Sequence, residues 1–195
     1  MAGAQLTRLP ELLLEPGRVG ELEVRGTTAA VLVALFVRDG ALHAVFTERQ
    51  RELSRHAGEI SFPGGRRDPE DADLLATALR ETHEEIGLAS GEVTVLGALQ
   101  PTSTIATGYA IYPFVGLIAE AQVWRPSRRE VSQVLELELA SVAGGYARRQ
   151  LRRRGVPIRT DTYSVDGHVI WGATARILGD LLDRLALTPQ ARATV

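Results

Sequence analysis

Apolar positions in the first half of the chain follow a strand pattern that is interrupted once. Residues 27–38 are rich in apolar and β-branched side chains, and the pattern resumes over residues 41–50 after Asp39 and Gly40. Asp-Gly is a favoured pair for the tight turn between two antiparallel strands. The pattern therefore predicts a β-hairpin, and residues 6–16 before it are expected to form a short helix or arm.

A helical period follows over residues 70–86. One stripe contains Leu75, Ala78, Leu79, Thr82 and Ile86. Side chains spaced in this way share one face of a helix, which is expected to pack on the core. Asp68 or Asp71 can cap the start of this helix, and Gly87 is suited to its C-terminal end.

Further elements alternate between strand and helix patterns along the rest of the chain. Strands are predicted over residues 92–100, 110–120, 131–139, 158–165 and 167–171, an irregular helix over residues 140–155, and a final helix from Ala173. Strands interleaved with helices indicate an α/β or α+β sandwich. A length of 195 residues is typical of one domain, so residues 1–195 are expected to form a single unit with a short N-terminal arm.

Charge and composition exclude several kinds of partner. The 22 basic and 24 acidic residues give a net charge of −2, so no global field attracts nucleic acid or an anionic membrane. The chain has no cysteine, which excludes disulfides and thiolate metal sites and is typical of a cytoplasmic protein. The longest apolar run is too short to span a bilayer. We therefore expect a soluble protein, and a homodimer remains open.

Four charged residues crowd the predicted helix between residues 80 and 85. They are Arg80, Glu81, Glu84 and Glu85. At 100° per residue the three glutamates are expected on one polar flank, where a solvated acidic surface is the simplest interpretation. The alternative is a site for Mg²⁺, which prefers oxygen ligands and often shares its coordination with substrate phosphates.

Two glycines shortly before this helix favour the second interpretation. Gly64 and Gly65 follow Phe62 and Pro63 in a long loop, and consecutive glycines let backbone amides approach an anion closely. The segment from Gly65 to Leu88, GRRDPEDADLLATALRETHEEIGL, resembles the Nudix box, G-x5-E-x7-R-E-U-x-E-E-x-G-U, where U is aliphatic. Two positions differ. The spacing from Gly65 to Arg80 is one residue longer with Asp71 near the place of the first glutamate, and Thr82 replaces an aliphatic residue.

A narrower resemblance extends upstream and to the C-terminal part of the chain. Residues 47–88 are similar in outline to the signature of the coenzyme A pyrophosphatase branch of Nudix hydrolases, and residues 167–178 resemble the late strand-to-helix passage of that branch. This resemblance implies an α/β/α sandwich with a mixed central sheet. It also implies Mg²⁺- or Mn²⁺-dependent hydrolysis of coenzyme A to 3′,5′-ADP and 4′-phosphopantetheine.

The same resemblance implies roles for the residues of the box. Glu81 and Glu85 would be the main metal ligands, and Glu84 would be a further ligand or a base. Arg80 precedes Glu84 by four residues and can orient it, so Glu84 and Arg80 are the expected catalytic pair. Other Nudix substrates, such as ADP-ribose or a dinucleotide, remain open, as does a non-catalytic nucleotide-binding domain.

Substrate contacts are expected from the loops around the helix. Arg51, Arg55 and His56 can contact phosphates, although solvated loop charges are an equal alternative. Gly64 and Gly65 can offer backbone amides. Residues 100–109 form a Ser/Thr-rich connection, and Tyr109 at its end can stack on an adenine or belong to an ordinary loop.

Overall fold

The computed structural model describes residues 2–22, 24–50, 58–104, 108–120, 122–153 and 156–188. The helices are α1 (Ala2–Arg8), α2 (Pro16–Val19), α3 (Leu74–Ile86), α4 (Leu139–Gly144) and α5 (Gly172–Arg184), with 3₁₀ turns at Leu9–Leu12 and Ser90–Glu92. The strands are β1 (Thr27–Arg38), β2 (Ala41–Arg49), β3 (Ile60–Ser61), β4 (Gly64–Arg66), β5 (Thr94–Ala98), β6 (Thr102–Ser103), β7 (Tyr109–Leu117), β8 (Val131–Glu138), β9 (Tyr146–Arg153), β10 (Val156–Val165) and β11 (His168–Trp171).

The central sheet is mixed. Its strand order is β3-β2-β1-β7-β5, with β8 paired to β2, β4 to β1 and β6 to β7. Strands β1 and β7 run parallel, and the other pairs are antiparallel. The predicted hairpin is confirmed, because Asp39 and Gly40 take the positive φ angles of a tight turn between β1 and β2. The predicted α/β class with a mixed central sheet is also confirmed.

Side chains on the two faces of the sheet form two separate apolar clusters. On β1, Leu35 belongs to the cluster that contains α5, whereas Phe36 belongs to the cluster that contains α3. Both side chains are completely buried. Successive residues of a strand point to opposite faces, so a sheet covered on both sides requires a continuous apolar run such as the one in β1.

Helix α3 starts later than predicted. Asp73 is its N-terminal cap and accepts a hydrogen bond from the Ala76 amide at 2.8 Å, whereas the prediction placed the cap at Asp68 or Asp71. Asp71 instead accepts a hydrogen bond from the Asp68 amide and closes a turn before the helix. The predicted end is confirmed, since Gly87 has a φ of 80° and donates its N–H to the His83 carbonyl oxygen.

The irregular helix predicted for residues 140–155 is largely wrong. Helix α4 ends at Gly144, and the arginine-rich segment forms strand β9 in a three-stranded sheet with β10 and β11. Tyr146 pairs with Tyr163 in this ladder, and Tyr163 is completely buried. Pairing with β10 supplies hydrogen bonds that outweigh the helical preference of the arginines. The predicted hairpin of β10 and β11 is confirmed, with Asp166 and Gly167 in its turn.

Candidate active site

Arg80, in the middle of α3, is the centre of a polar network. Its guanidinium donates to Glu81 at 3.1 Å, to Glu84 at 3.3 Å and to the Arg66 carbonyl oxygen at 3.1 Å. It also forms a two-point contact with Asp71, with distances of 2.8 and 3.0 Å. Arg80 therefore orients two of the three glutamates that the sequence singled out, and it is held in turn by Asp71.

Asp71 is a buried anchor for this network. Besides Arg80, its carboxylate accepts hydrogen bonds from the Thr77 hydroxyl at 2.8 Å and the Asp68 amide at 2.9 Å. The bond from Arg80 holds the pKa of Asp71 well below its usual range, and the bond to Asp71 raises the pKa of Arg80. The unusual spacing before Arg80 is therefore compatible with a tight contact, because Asp71 reaches the guanidinium from the turn preceding the helix.

Glu85 does not lie on a solvated flank with the other glutamates. It is only 4% exposed, whereas Glu84 is exposed and Glu81 is partly buried. One carboxylate oxygen of Glu85 accepts the Gly64 amide at 3.1 Å, and the other lies 3.9 Å from the Arg49 guanidinium. Burial raises the pKa of Glu85 to about 7. The helix therefore turns this carboxylate toward the β2–β4 region instead of toward solvent.

The two glycines permit this approach of carboxylates to backbone. A Cβ atom at Gly65 would overlap the carboxylate of Glu81, so only glycine leaves room for that side chain in its present position. Gly64 has a φ of 147°, and a Cβ atom there would overlap the backbone of β1. The Gly64 amide donates to Glu85, so the glycine backbone and the carboxylate are in direct contact.

Glu81 resembles Glu85 in one respect, because burial raises its pKa as well.

Glu130 is an acidic residue near the site that the sequence analysis missed. It lies in the turn before β8, where its carbonyl oxygen accepts the Gln50 amide at 2.9 Å. Its charge adds to burial in raising the pKa of both Glu81 and Glu85. The preceding Ser127 amide donates to the Glu85 carbonyl oxygen at 2.8 Å and so holds this turn at the end of α3. No local pattern in the sequence marks Glu130, because tertiary contacts alone bring it here.

The predicted substrate contacts have different outcomes. Arg51, Arg55 and His56 lie outside the described residues. Tyr109 begins β7 opposite Thr27 of β1, and Arg66 pairs with Ala29 on the other side of that strand. Tyr109 is thus near the same end of the sheet as the box, but it does not belong to the Arg80 network. Its amide donates to the Thr104 hydroxyl at 2.8 Å.

The chemistry of the site fits a hard divalent cation. The ligand atoms that it offers are carboxylate oxygens, which Mg²⁺ and Mn²⁺ prefer. Among the described residues, the negative charge of the buried Glu85 is compensated only by one amide hydrogen bond, from Gly64, and by the guanidinium of Arg49 at 3.9 Å. The described part of the chain holds no three acidic or histidine side chains that already converge as a metal cluster. Since Arg80 holds Glu81 and Glu84, an ion that recruits either one must share it with Arg80 or displace this contact.

Comparisons with known proteins agree with the geometry. The NUDIX domain family model matches residues 26–150. An uncharacterized Nudix hydrolase NudL from Salmonella paratyphi B is 38% identical over 163 residues, which cover 83% of this chain and 84% of the relative. The NudL protein of Salmonella newport matches to the same extent.

Solved structures show the same fold. A MutT/nudix family protein from Enterococcus faecalis superposes with a TM-score of 0.59 at 13% identity, covering 99% of this chain and 79% of that one. The Nudix hydrolase RenU from M. smegmatis superposes with a TM-score of 0.51 at 24% identity, covering 60% and 73%. The family model matches residues 26–150, and Glu81 and Glu85 of the box lie against Gly65 and Gly64. The chain therefore belongs to the Nudix hydrolase family.

Proposed function

We propose that this protein hydrolyses the pyrophosphate bond of coenzyme A or its derivatives in the presence of Mg²⁺ or Mn²⁺. The products are 3′,5′-ADP and 4′-phosphopantetheine. The observation that carries the hydrolytic part is the buried, incompletely compensated carboxylate of Glu85 next to Glu81. The choice of coenzyme A rests on the resemblance of residues 47–88 to the coenzyme A branch of the family.

Each residue of the box has a distinct role in this proposal. Glu81 and Glu85 hold the metal, and Glu84 is a further ligand or accepts a proton from the attacking water. When bound, a divalent ion neutralises phosphate oxygens and lowers the pKa of a coordinated water. Arg80 positions Glu81 and Glu84 through its hydrogen bonds, and Asp71 holds Arg80 in turn. Arg80 is therefore a positioning residue in this arrangement.

Substrate contacts and biological context complete the proposal. Arg51, Arg55, His56 and Tyr109 remain predicted contacts for the substrate. The cytoplasmic location, the homodimer and the single domain over residues 1–195 also remain predictions. No helix in the described ranges is long and apolar enough to cross a bilayer.

A substrate panel in ¹⁸O-labelled water tests the proposal. Coenzyme A, acetyl-coenzyme A, ADP-ribose and a dinucleotide are each incubated with the protein and Mg²⁺ or Mn²⁺. We expect the highest kcat/KM for a coenzyme A compound, with ¹⁸O in one of the two phosphorylated products. Preferential hydrolysis of ADP-ribose or the dinucleotide would overturn the choice of coenzyme A. Nucleotide binding without turnover of any substrate would show a non-catalytic domain.

A further inference from the structure

The outer part of the β9–β10 hairpin is a two-stranded arm. Strand β11 pairs with β10 only over residues 162–165, so residues 148–153 of β9 and 156–161 of β10 pair with each other and with no third described strand. We call these two segments the basic arm. Each segment extends over roughly 20 Å, at about 3.4 Å per residue of an antiparallel strand. Within the arm, no side chain that the structure describes is buried.

Exposed arginines lie on both faces of the basic arm. Arg148 and Arg152 are exposed on β9, and the exposed Arg159 of β10 pairs with Gln150 midway between them. Alternate residues of a strand share one face, and so do residues directly opposite each other in an antiparallel pair. These three arginines therefore share one face, where diagonal neighbours are about 7–8 Å apart. Arg149 is exposed on the other face.

Carboxylates do not balance the positive charge of the basic arm. None of its four exposed arginines forms an ion pair with a described residue. Residues 146–165 contain six arginines and one acidic residue, Asp161, in a chain whose net charge is −2. The carboxylate of Asp161 accepts a hydrogen bond from the Tyr146 hydroxyl at 3.0 Å. The arm is therefore a local positive surface that the net charge of the chain does not reveal.

The side chains of the basic arm fit some anionic partners better than others. Arginine recognises phosphate oxygens through two parallel hydrogen bonds. The arm contains no aromatic residue on which an unpaired base could stack, which disfavours single-stranded nucleic acid. An anionic membrane is disfavoured as well, because insertion into a bilayer requires exposed apolar groups. The exposed large apolar side chains of the described residues all lie outside the arm, namely Leu12, Leu22, Val123 and Val169.

Duplex DNA matches the shape of the basic arm. The major groove of B-DNA is about 12 Å wide and admits a two-stranded β-ribbon. The corresponding groove of duplex RNA is too narrow for side chains to enter. A phosphate backbone borders the DNA groove on each side, so a ribbon with arginines on both faces can contact phosphates on both sides.

We infer that the basic arm binds the major groove of double-stranded DNA through phosphate contacts. The inference is independent of the proposed hydrolysis, because no residue of the Arg80 network belongs to the arm. The acidic remainder of the chain does not cancel the charge of the arm. At physiological ionic strength the Debye length is about 8 Å, which is shorter than the arm, so distant exposed charges are largely screened.

Fluorescence anisotropy of a labelled DNA duplex with the full-length protein tests the inference. The duplex has about 20 base pairs, which is two helical turns, and binding is measured at about 50 and 200 mM NaCl. Arg152→Gln/Arg159→Gln removes two charges from one face of the arm. The matched control, Arg8→Gln/Arg18→Gln, removes two charges from exposed arginines outside the arm. Thermal unfolding of each protein checks that the fold is intact.

The expected result is a salt-dependent affinity that follows the charge of the arm. Four phosphate contacts give a slope of log K against log salt of about −3.6, so the wild type should lose affinity on the order of a hundredfold between the two salt concentrations. Arg152→Gln/Arg159→Gln should bind at least about tenfold more weakly at the lower salt, and its slope should be smaller in magnitude by about 1.8. The control should change the affinity less than about twofold and keep the slope.

Two further variants make this result specific to charge. Arg152→Lys/Arg159→Lys keeps both charges and should retain the slope of the wild type. If the double glutamine variant lowers the thermal unfolding temperature markedly, Arg148→Gln/Arg149→Gln replaces it with the same change in charge and the same expected direction.

Other outcomes would overturn the inference. They are no binding of the duplex by the wild type at the lower salt, or equal losses of affinity in the arm variant and the control. Tighter binding to duplex RNA or single-stranded DNA would contradict the fit to the major groove. Tighter binding to vesicles that contain phosphatidylserine would show a membrane surface instead, and equally tight binding to poly-glutamate would show a surface for acidic proteins. Each of these outcomes leaves the proposed hydrolysis unaffected.

Discussion

Helices α3 and α5 each have thirteen residues and pack on opposite faces of the central sheet, yet they bury different kinds of side chain. The buried positions of α5 are all nonpolar, namely Ala175, Ile177, Leu178, Gly179, Leu181 and Leu182. The buried positions of α3 include Thr77, Thr82 and Glu85. The buried positions of α5 therefore only stabilise the fold, whereas α3 retains a buried carboxylate that costs stability and makes a metal site possible.

The polar residues of α3 are compensated to different degrees. Thr82 donates its hydroxyl to the Ala78 carbonyl oxygen at 2.6 Å, so it replaces an aliphatic residue of the box without an unpaired polar group. Thr77 donates to Asp71. The charge of Glu85 is compensated less well than the hydroxyls of these threonines, since its second carboxylate oxygen is 3.9 Å from the Arg49 guanidinium. The contrast with α5 thus depends mainly on Glu85.

The largest expected effect is on turnover. We expect Glu81→Gln and Glu85→Gln each to lower kcat/KM at least about a thousandfold, equivalent to about 4 kcal/mol of transition-state stabilisation, because each removes a ligand charge from the metal. The measurement is Mg²⁺-dependent hydrolysis of the preferred substrate. The control is Glu70→Gln, an exposed carboxylate in the preceding loop, which should retain activity. Full activity of Glu81→Gln or Glu85→Gln would refute the assignment of that residue as a ligand.

A truncation in α5 should give the opposite pattern. Leu178 is completely buried, so Leu178→Ala should lower the free energy of unfolding by roughly 3 kcal/mol through lost contacts and a cavity. Below its unfolding temperature the variant should keep the metal dependence of the wild type. Chemical denaturation and metal titration of activity are the two measurements. A changed metal affinity at unchanged stability would show that α5 also contributes to the site.

The pH dependence of stability should differ between wild type and Glu85→Gln. Without metal, Glu85 is protonated in both folded and unfolded chains below about pH 4. As the pH rises, the unfolded chain loses this proton first, while the folded protein keeps it up to its raised pKa of about 7. The wild type is therefore progressively destabilised relative to Glu85→Gln, by on the order of 1–3 kcal/mol at pH 8.

Thermal unfolding with chelator at pH 5 and pH 8 measures this difference. Glu85→Gln should be the more stable protein at pH 8, and its advantage should shrink at pH 5. Added Mg²⁺ or Mn²⁺ should stabilise the wild type more than the variant, because the ion compensates the buried charge. An equal difference at both pH values would contradict the raised pKa of Glu85.

The smallest effects concern the ion pairs of the two helices. Asp71→Asn should cost about 2 kcal/mol of stability and should also lower kcat, because it weakens the buried contact that holds Arg80. Asp180→Asn in α5 should cost less than about 1 kcal/mol, since the side chain of Asp180, which pairs with Arg184, is 29% exposed, whereas that of Asp71 is 6% exposed. Equal losses in both variants, measured by chemical denaturation, would remove the special role of Asp71.

Local patterns predicted much of the fold. The β1–β2 hairpin, helix α3 and the β10–β11 hairpin follow from apolar periodicity and from Asp-Gly turns, which depend on neighbouring residues. Strand β9 was predicted wrongly, because its arginines have a helical preference and its partner β10 overrides it. The start of α3 was also misplaced, because the choice between Asp71 and Asp73 as cap depends on where Arg80 and Thr77 draw the Asp71 carboxylate.

The sequence by itself determined which side chains make up the box, from Arg80 to Glu85, and the glycines that precede it. Those residues are close together along the chain, so helical periodicity and motif spacing suffice to group them. Only the tertiary structure decided that Glu85 is buried, that Asp71 anchors Arg80 and that Glu130 approaches from another turn. Burial and long-range charge depend on which distant elements pack together, and no local spacing in the chain specifies this packing.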